Sequence, residues 1–257
     1  METIKFVFWE AIRVLGLAFL GLLAAKAVAN LKPGHGNSGA ARLRWVKGAL
    51  WLVIAGMAML GARAVGYDLA AQLYLSASQH DLAQGELSKA YLNALRAVQI
   101  RPGSLRYWRT LVITKMAQRQ FASVVEDMPA FQVLSGGELD DEDAYDFALC
   151  YFYLGRYDEA VSLTRELVGR NRLYAAPYVL QGMAYTAQKK YRDAEASFLG
   201  ILQTFPNHQA AVEGLAQAFF LEGNRAQAVS VLDQTTKLSF PPDARKRFSA
   251  LRALYGQ

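Results

Sequence analysis

The sequence predicts an all-α chain, with an N-terminal transmembrane helical hairpin followed by an α-solenoid of short helix pairs. Three observations carry that prediction. The first 66 residues hold two long apolar runs separated by a short basic stretch. The rest of the chain returns its small and aromatic residues at an interval of 34. After residue 66, apolar positions also follow helical rather than alternating spacing, and proline is scarce, with 7 in 257 residues.

The second apolar run is the cleaner of the two. Gly48 to Ala62 carries no charge. Extended to Val46 and Gly66, with Lys47 and Arg63 reaching outward from its ends, it amounts to about 20 residues and about 30 Å of helix, enough to cross a bilayer. Upstream, Val14 to Leu31 is interrupted only by Lys26. Trp9, Trp45 and Trp51 fall near the ends of these spans, where indole prefers the membrane interface. Small residues at four-residue spacing, Gly21/Ala25 and Ala58/Ala62, are compatible with close packing of the two helices, and equally with simple alanine richness. A cleaved secretory signal is a rival for the first run, since Ala25-Lys26-Ala27 and Ala27-Val28-Ala29 resemble cleavage sites. Glu2, Glu10 and the run Phe6-Val7-Phe8-Trp9 favour a retained anchor.

Between the runs lies Leu31 to Lys47, rich in glycine and base. A phosphate-cradling loop needs its glycines between a strand and a helix, usually with a closing Lys-Ser/Thr. Here Gly34-His35-Gly36-Asn37-Ser38-Gly39 follows an apolar helix and matches no such fingerprint. The expectation is a turn joining two membrane helices, with His35 an exposed loop residue. Lys32, Arg42, Arg44 and Lys47, with no acid among them, orient the hairpin with this loop in the cytoplasm. Both termini then lie outside it, so the soluble part is periplasmic in a bacterium.

Those four cations also account for most of the net charge of +6. The remainder, about +2, offers no basic field for a phosphate backbone, so no nucleic-acid partner is expected. Cys150 is the single cysteine and reads as a small core residue. The histidines (His35, His80, His208) are scattered, and no acid pair or nucleophile with a base is fixed by spacing. No catalytic, metal or cofactor site and no small-molecule substrate is expected; the chain reads as a non-enzyme.

The repeat is clearest from Ala175. Counting it as position 1, Tyr178, Gly182, Tyr185, Ala194, Phe198 and Pro206 stand at positions 4, 8, 11, 20, 24 and 32. This resembles the tetratricopeptide repeat. Small residues let two antiparallel helices touch, aromatics fill the seam, and a proline ends the second helix. The frame propagates to units starting at Gln209, Asp141, Leu105 and Ala71. Thr164, Arg172, Lys115 and Val124 depart from the pattern, and a two-residue insertion near Ser135–Asp143 precedes the third unit. Acids opening a helix explain that run better than a calcium loop does. The resulting organisation is a membrane anchor over 1–66 with its basic loop at 31–47, five helix pairs over 67–242, and a capping helix over 243–257.

In the resembled family, partners lie along a concave face built by the first helix of each unit. That resemblance implies a groove of Arg106, Arg109, Ile113 and Met116 from the second unit and Tyr145, Leu149, Phe152 and Tyr153 from the third. Val179 and Met183 follow from the fourth unit, and Gln217, Phe220 and Leu221 from the fifth. The same residues could instead pack between neighbouring helices. The sixth positions hold Thr110, Asp146, Leu180 and Gly214, so the family's carboxylate clamp is missing, and an apolar helix or extended segment suits the groove better than an acidic tail. The functional expectation is a scaffold subunit of a bacterial inner-membrane complex with protein partners, for envelope polysaccharide synthesis or export. The alternative is a periplasmic chaperone-like factor for respiratory or cytochrome assembly, or the same scaffold facing the cytoplasm.

Overall fold

The computed structural model describes residues 38–256, with side chains from Gly48 onward. The first apolar run and the turn residues Pro33 to Asn37 lie outside the described residues. The chain divides at Thr110/Leu111 into two units. Among the described residues there is helix and turn and no strand.

The N-terminal unit is dominated by one long helix, α1 (Ser38–Ala83), which packs on α2 (Leu87–Ile100). Two expectations change here. The stretch Ser38–Lys47 is helical rather than loop, because Ala40, Ala41, Arg42, Leu43 and Arg44 are strong helix formers. No break marks position 66 either, since the helix runs from the apolar stretch straight into the first repeat. Where α1 meets α2, Ala71, Leu75 and Ser78 are buried against Ala90, Ala94 and Ala97. Alanines allow close approach, and Ser78 Oγ donates to the Ala90 carbonyl at 2.8 Å, so the buried hydroxyl is satisfied. Asn93 donates to Asp81 at 2.9 Å and ties the same pair further along.

The division falls inside α3 (Leu105–Ala117), whose later turns open the second unit. There follow α4 (Phe121–Leu134), α5 (Asp141–Tyr153), α6 (Tyr157–Arg170), α7 (Ala175–Ala187), α8 (Tyr191–Leu202), α9 (Gln209–Glu222), α10 (Arg225–Gln234) and, after a 3₁₀ turn, α11 (Pro242–Tyr255). Helices α3, α5, α7 and α9 begin at Leu105, Asp141, Ala175 and Gln209, the residues from which the units were counted. Consecutive helices from α5 to α11 pack in order, as in an α-solenoid.

One turn recurs five times. Position 15 of each unit is left-handed: Gly85, Arg119, Gly155, Lys189 and Gly223, with φ between 60° and 97°. In every case the next amide donates back five residues, for example Arg156 to Tyr151 and Lys190 to Tyr185, both at 2.9 Å. This closes the first helix of each unit and reverses the chain. Glycine takes that conformation without strain, whereas Arg119 and Lys189 do not.

Three of the departures from the repeat pattern, and the insertion, have a physical account. Lys115 occupies an apolar position, yet it is buried and meets Asp127 of α4 at 2.5 Å. Burial holds the Asp127 carboxyl above its usual range, and Lys115 opposes that shift. Thr164 stands where an aromatic was expected and donates to the Ala160 carbonyl at 2.9 Å. Arg172 replaces the closing proline, and there Asn171 Oδ1 accepts from the Leu173 amide at 3.1 Å to turn the chain. The insertion passes through Gly136 and Gly137 at φ 81° and 105° and buries Leu139. Asp140 then caps α5 by accepting from the Asp143 amide at 2.8 Å. Arg170 holds the insertion from α6, donating to the Leu139 carbonyl at 2.9 Å and pairing with Glu138 and Glu166.

Candidate functional site

In the second unit, three helices meet at one buried ring. Phe198 of α8 is 1% exposed and lies against Gly182 of α7 and Gly214 of α9. A Cβ placed on Gly182 would stand 2.6 Å from that ring, and one on Gly214 closer still. Two glycines thus let a second-helix aromatic reach the face made by first helices. Beside it opens a cavity of about 260 Å³ whose lining includes Phe152, Met183, Thr186, Gln217 and Leu221, with Phe198 at its side. Its wall is apolar and aromatic, with Thr186 and Gln217 as polar points.

The residues expected in the groove divide into those this surface gathers and those it does not. Phe152 and Met183 line the cavity, and Met183 is 43% exposed. Tyr145 stands 5.7 Å from Tyr174, and Leu149 is half-buried between the positions of Tyr145 and Phe152 on α5. Tyr153 is exposed but stacked on Phe121 of α4 at 4.6 Å. Ile113 is exposed and Met116 half-buried on the later turns of α3. In the N-terminal unit, Arg106 is exposed and Arg109 half-buried. Phe220 does not belong to an open groove. It stacks on Tyr255 of α11 at 4.3 Å, with Arg225 over its ring, and so serves the seam with the last helix. The last helix was expected as a cap, but the groove positions counted from the repeat frame do not register its seam with Phe220.

One functional candidate carries more weight than its sequence position suggested. Asp146, at the sixth position of α5, is half-buried. Burial, together with Glu142, Asp143 and Asp140, pushes its pKa up to about 6. The same burial raises the Tyr145 and Tyr174 hydroxyls, with the nearby acids adding to the effect at both. This end of the surface is therefore an acidic, aromatic patch. Cys150 is fully buried and its thiol is pushed up to about 12, first by burial and then by Asp146, so it is an inert core residue. No group of acids, histidines or cysteine among the described residues could hold a metal ion.

Comparison with known proteins assigns the class. Two tetratricopeptide-repeat family models match residues 145–207 and 185–254. The chain carries tetratricopeptide repeats. Among solved structures, residues 41 to the end of MamA from Desulfovibrio magneticus RS-1 align at 15% identity, over 66% of this chain and 94% of that one, with a TM-score of 0.58. TTC0263, a thermophilic repeat protein of Thermus thermophilus, aligns at 18% identity over 71% and 98%, with a TM-score of 0.53. YrrB, described as having an unusual peptide-binding site, aligns at 14% over 64% and 84%, with a TM-score of 0.51. At such identities the likeness is one of fold. No curated protein matches the sequence.

Proposed function

We propose that this chain is a membrane-anchored scaffold subunit of a bacterial inner-membrane complex, non-enzymatic, holding protein partners on its repeats. Envelope polysaccharide synthesis or export is the setting the layout suits best. The observation that carries the reading is the continuity of α1. Within one helix, Gly48–Ala62 is uncharged with no buried residue, and the turns from Ala71 are the first helix of the first repeat. A helix that joins a bilayer-length apolar stretch rigidly to interaction repeats is built to hold those repeats at a membrane surface. The partner segment is apolar or aromatic and carries a basic residue, because Phe152 and Met183 offer an apolar wall and Asp146 a half-buried acid.

The test is made on full-length chain in its native membranes. Alkaline carbonate should leave it in the membrane fraction, and gentle solubilisation should release it with a stoichiometric partner. Phe152→Ala and Met183→Ala should lose that partner while the thermal melt is retained. Extraction by carbonate would overturn the anchor. Retention of the partner by both variants would overturn the groove, and crosslinks to many chains in place of one fixed partner would favour the chaperone reading.

A further inference from the structure

The N-terminal unit holds a cleft that the repeat function leaves unused, and it lies at the end of the apolar stretch. Leu60, Arg63, Ala64, Tyr67 and Asp68 follow one another at helical spacing and present a single face of α1. Opposite them runs the turn from Ile100 to Tyr107, and the space enclosed is about 550 Å³. Two guanidinium groups and one carboxylate line it, so it carries net positive charge. Arg101 is fixed through Nη2 alone, which meets Asp68 at 2.6 Å and donates to the Ala64 carbonyl at 3.2 Å. Its Nε is buried without an acceptor among the described residues. Arg63 donates to the Tyr67 hydroxyl at 2.9 Å and lies over that ring, which aims its guanidinium along the same face. Tyr107 and Leu60 supply apolar wall beside the charges.

Depth selects the ligand. Leu60 belongs to the uncharged stretch Gly48–Ala62, and Arg63 is the first charge after it. With that stretch in the hydrocarbon, at about 1.5 Å per residue the cleft falls where headgroups lie. Arginine matches the phosphate fork geometrically, and aromatics beside it suit the same interface.

We propose that this cleft binds the phosphate of an anionic phospholipid, with Arg63 and Arg101 on the headgroup and an acyl chain running down past Leu60. The assignment rests on the membrane reading above, and a soluble phosphate is the competing source of the same chemistry. Full-length protein is reconstituted into vesicles of phosphatidylcholine alone or mixed with phosphatidylglycerol. Flotation reports insertion, and native mass spectrometry of the released protein reports retained lipid. Flotation is expected with both vesicles, with phosphatidylglycerol retained over phosphatidylcholine by roughly tenfold. Arg63→Gln, an exposed change that leaves the α1–α2 contact untouched, and Arg101→Gln should each bring that ratio towards unity while flotation persists. Arg156→Gln in the second unit should not. Failure to float would overturn the anchor and the site together. Flotation without lipid preference, or a preference that survives both variants, would overturn the site alone. So would displacement of the lipid by inorganic phosphate, which would assign the cleft to a free anion.

Discussion

Two stretches of a single helix show how differently the same kind of residue can be used. In α1, Leu50, Trp51, Leu52, Met57, Met59 and Val65 are all more than half exposed, and nothing between Gly48 and Gly66 is buried. A few turns later, Ala71, Leu75 and Ser78 are almost wholly enclosed by α2. Hydrophobicity does not separate them; periodicity does. The first stretch is apolar all round and so has no particular face to offer α2. The second keeps small residues on one stripe, which a second helix can approach closely. Apolar surface that a fold cannot stripe is left for another solvent or another chain, whereas striped surface goes to the core. The second unit takes the striped solution throughout, down to Phe198 enclosed by two glycines.

That contrast can be broken or sharpened by substitution, and the largest effect belongs to the enclosed ring. Phe198→Ala should cost about 3–5 kcal/mol, because Gly182 and Gly214 have no side chains with which to fill the void. Chemical denaturation of the full chain in detergent measures it, and a loss below about 1 kcal/mol would mean that the ring is not the centre of the unit.

Next comes Asp146. Its folded pKa is raised to about 6 from an ordinary 3.8. Between those values the folded chain holds a proton that the unfolded chain has lost, so this group's contribution to stability falls as pH rises through that window and is level above it. Below 3.8 both states are protonated and the term vanishes. Asp146→Asn should remove the slope and stabilise the chain near neutrality by on the order of 1 kcal/mol, a figure reduced for the solvent that reaches a half-buried group. Melts of the two proteins that run parallel from about pH 4 to 7 would count against a raised pKa.

A smaller gain is expected at the left-handed turns. Lys189→Gly should stabilise by roughly 0.5–1 kcal/mol, since the strain of φ 61° outweighs the extra freedom glycine gives the unfolded chain. The same change at Lys190, outside the strained position, should not stabilise, and equal effects at both sites would remove strain as the cause.

The smallest effect on folding belongs to the bare stretch. Leu52→Gln should leave the helix pairs within about 0.5 kcal/mol of their original stability, because Leu52 is 76% exposed. The same variant should partition less well into phosphatidylcholine vesicles. A large loss of stability in detergent would mean that this stretch is covered by protein.

Much of the fold was legible because the repeat expresses packing in residue size. Small residues at positions 8 and 20 and aromatics at 11 and 24 located helix starts at Leu105, Asp141, Ala175 and Gln209. The same logic failed at Ser38–Lys47, where turn residues just upstream drew attention from the helix formers that follow. At the candidate site, Phe152 and Met183, chosen for their place on first helices, line one cavity. Phe220 stacks on Tyr255, a residue that lies beyond the repeat frame. Phe198 was legible as a seam aromatic but not as a ring reaching two first helices, and Asp146 only as a missing clamp residue, not as a half-buried acid. The glycines at 182 and 214 were the available signal for the first, and the acids on either side of Asp146 for the second.

By itself, the sequence determined the all-helical class, the 34-residue frame and the uncharged stretch in front of it, because each depends on spacing and composition along the chain. Only the tertiary structure decided which partners satisfy the exceptions. Lys115 in an apolar position is a defect until Asp127 is brought within 2.5 Å of it, from 12 residues away and on another helix. Arg101 and Arg63 share a cleft only because the turn after α2 returns to α1. Contacts between helices are long-range in sequence and specific in distance, and a buried charge is stable only where such a contact supplies its counter-charge.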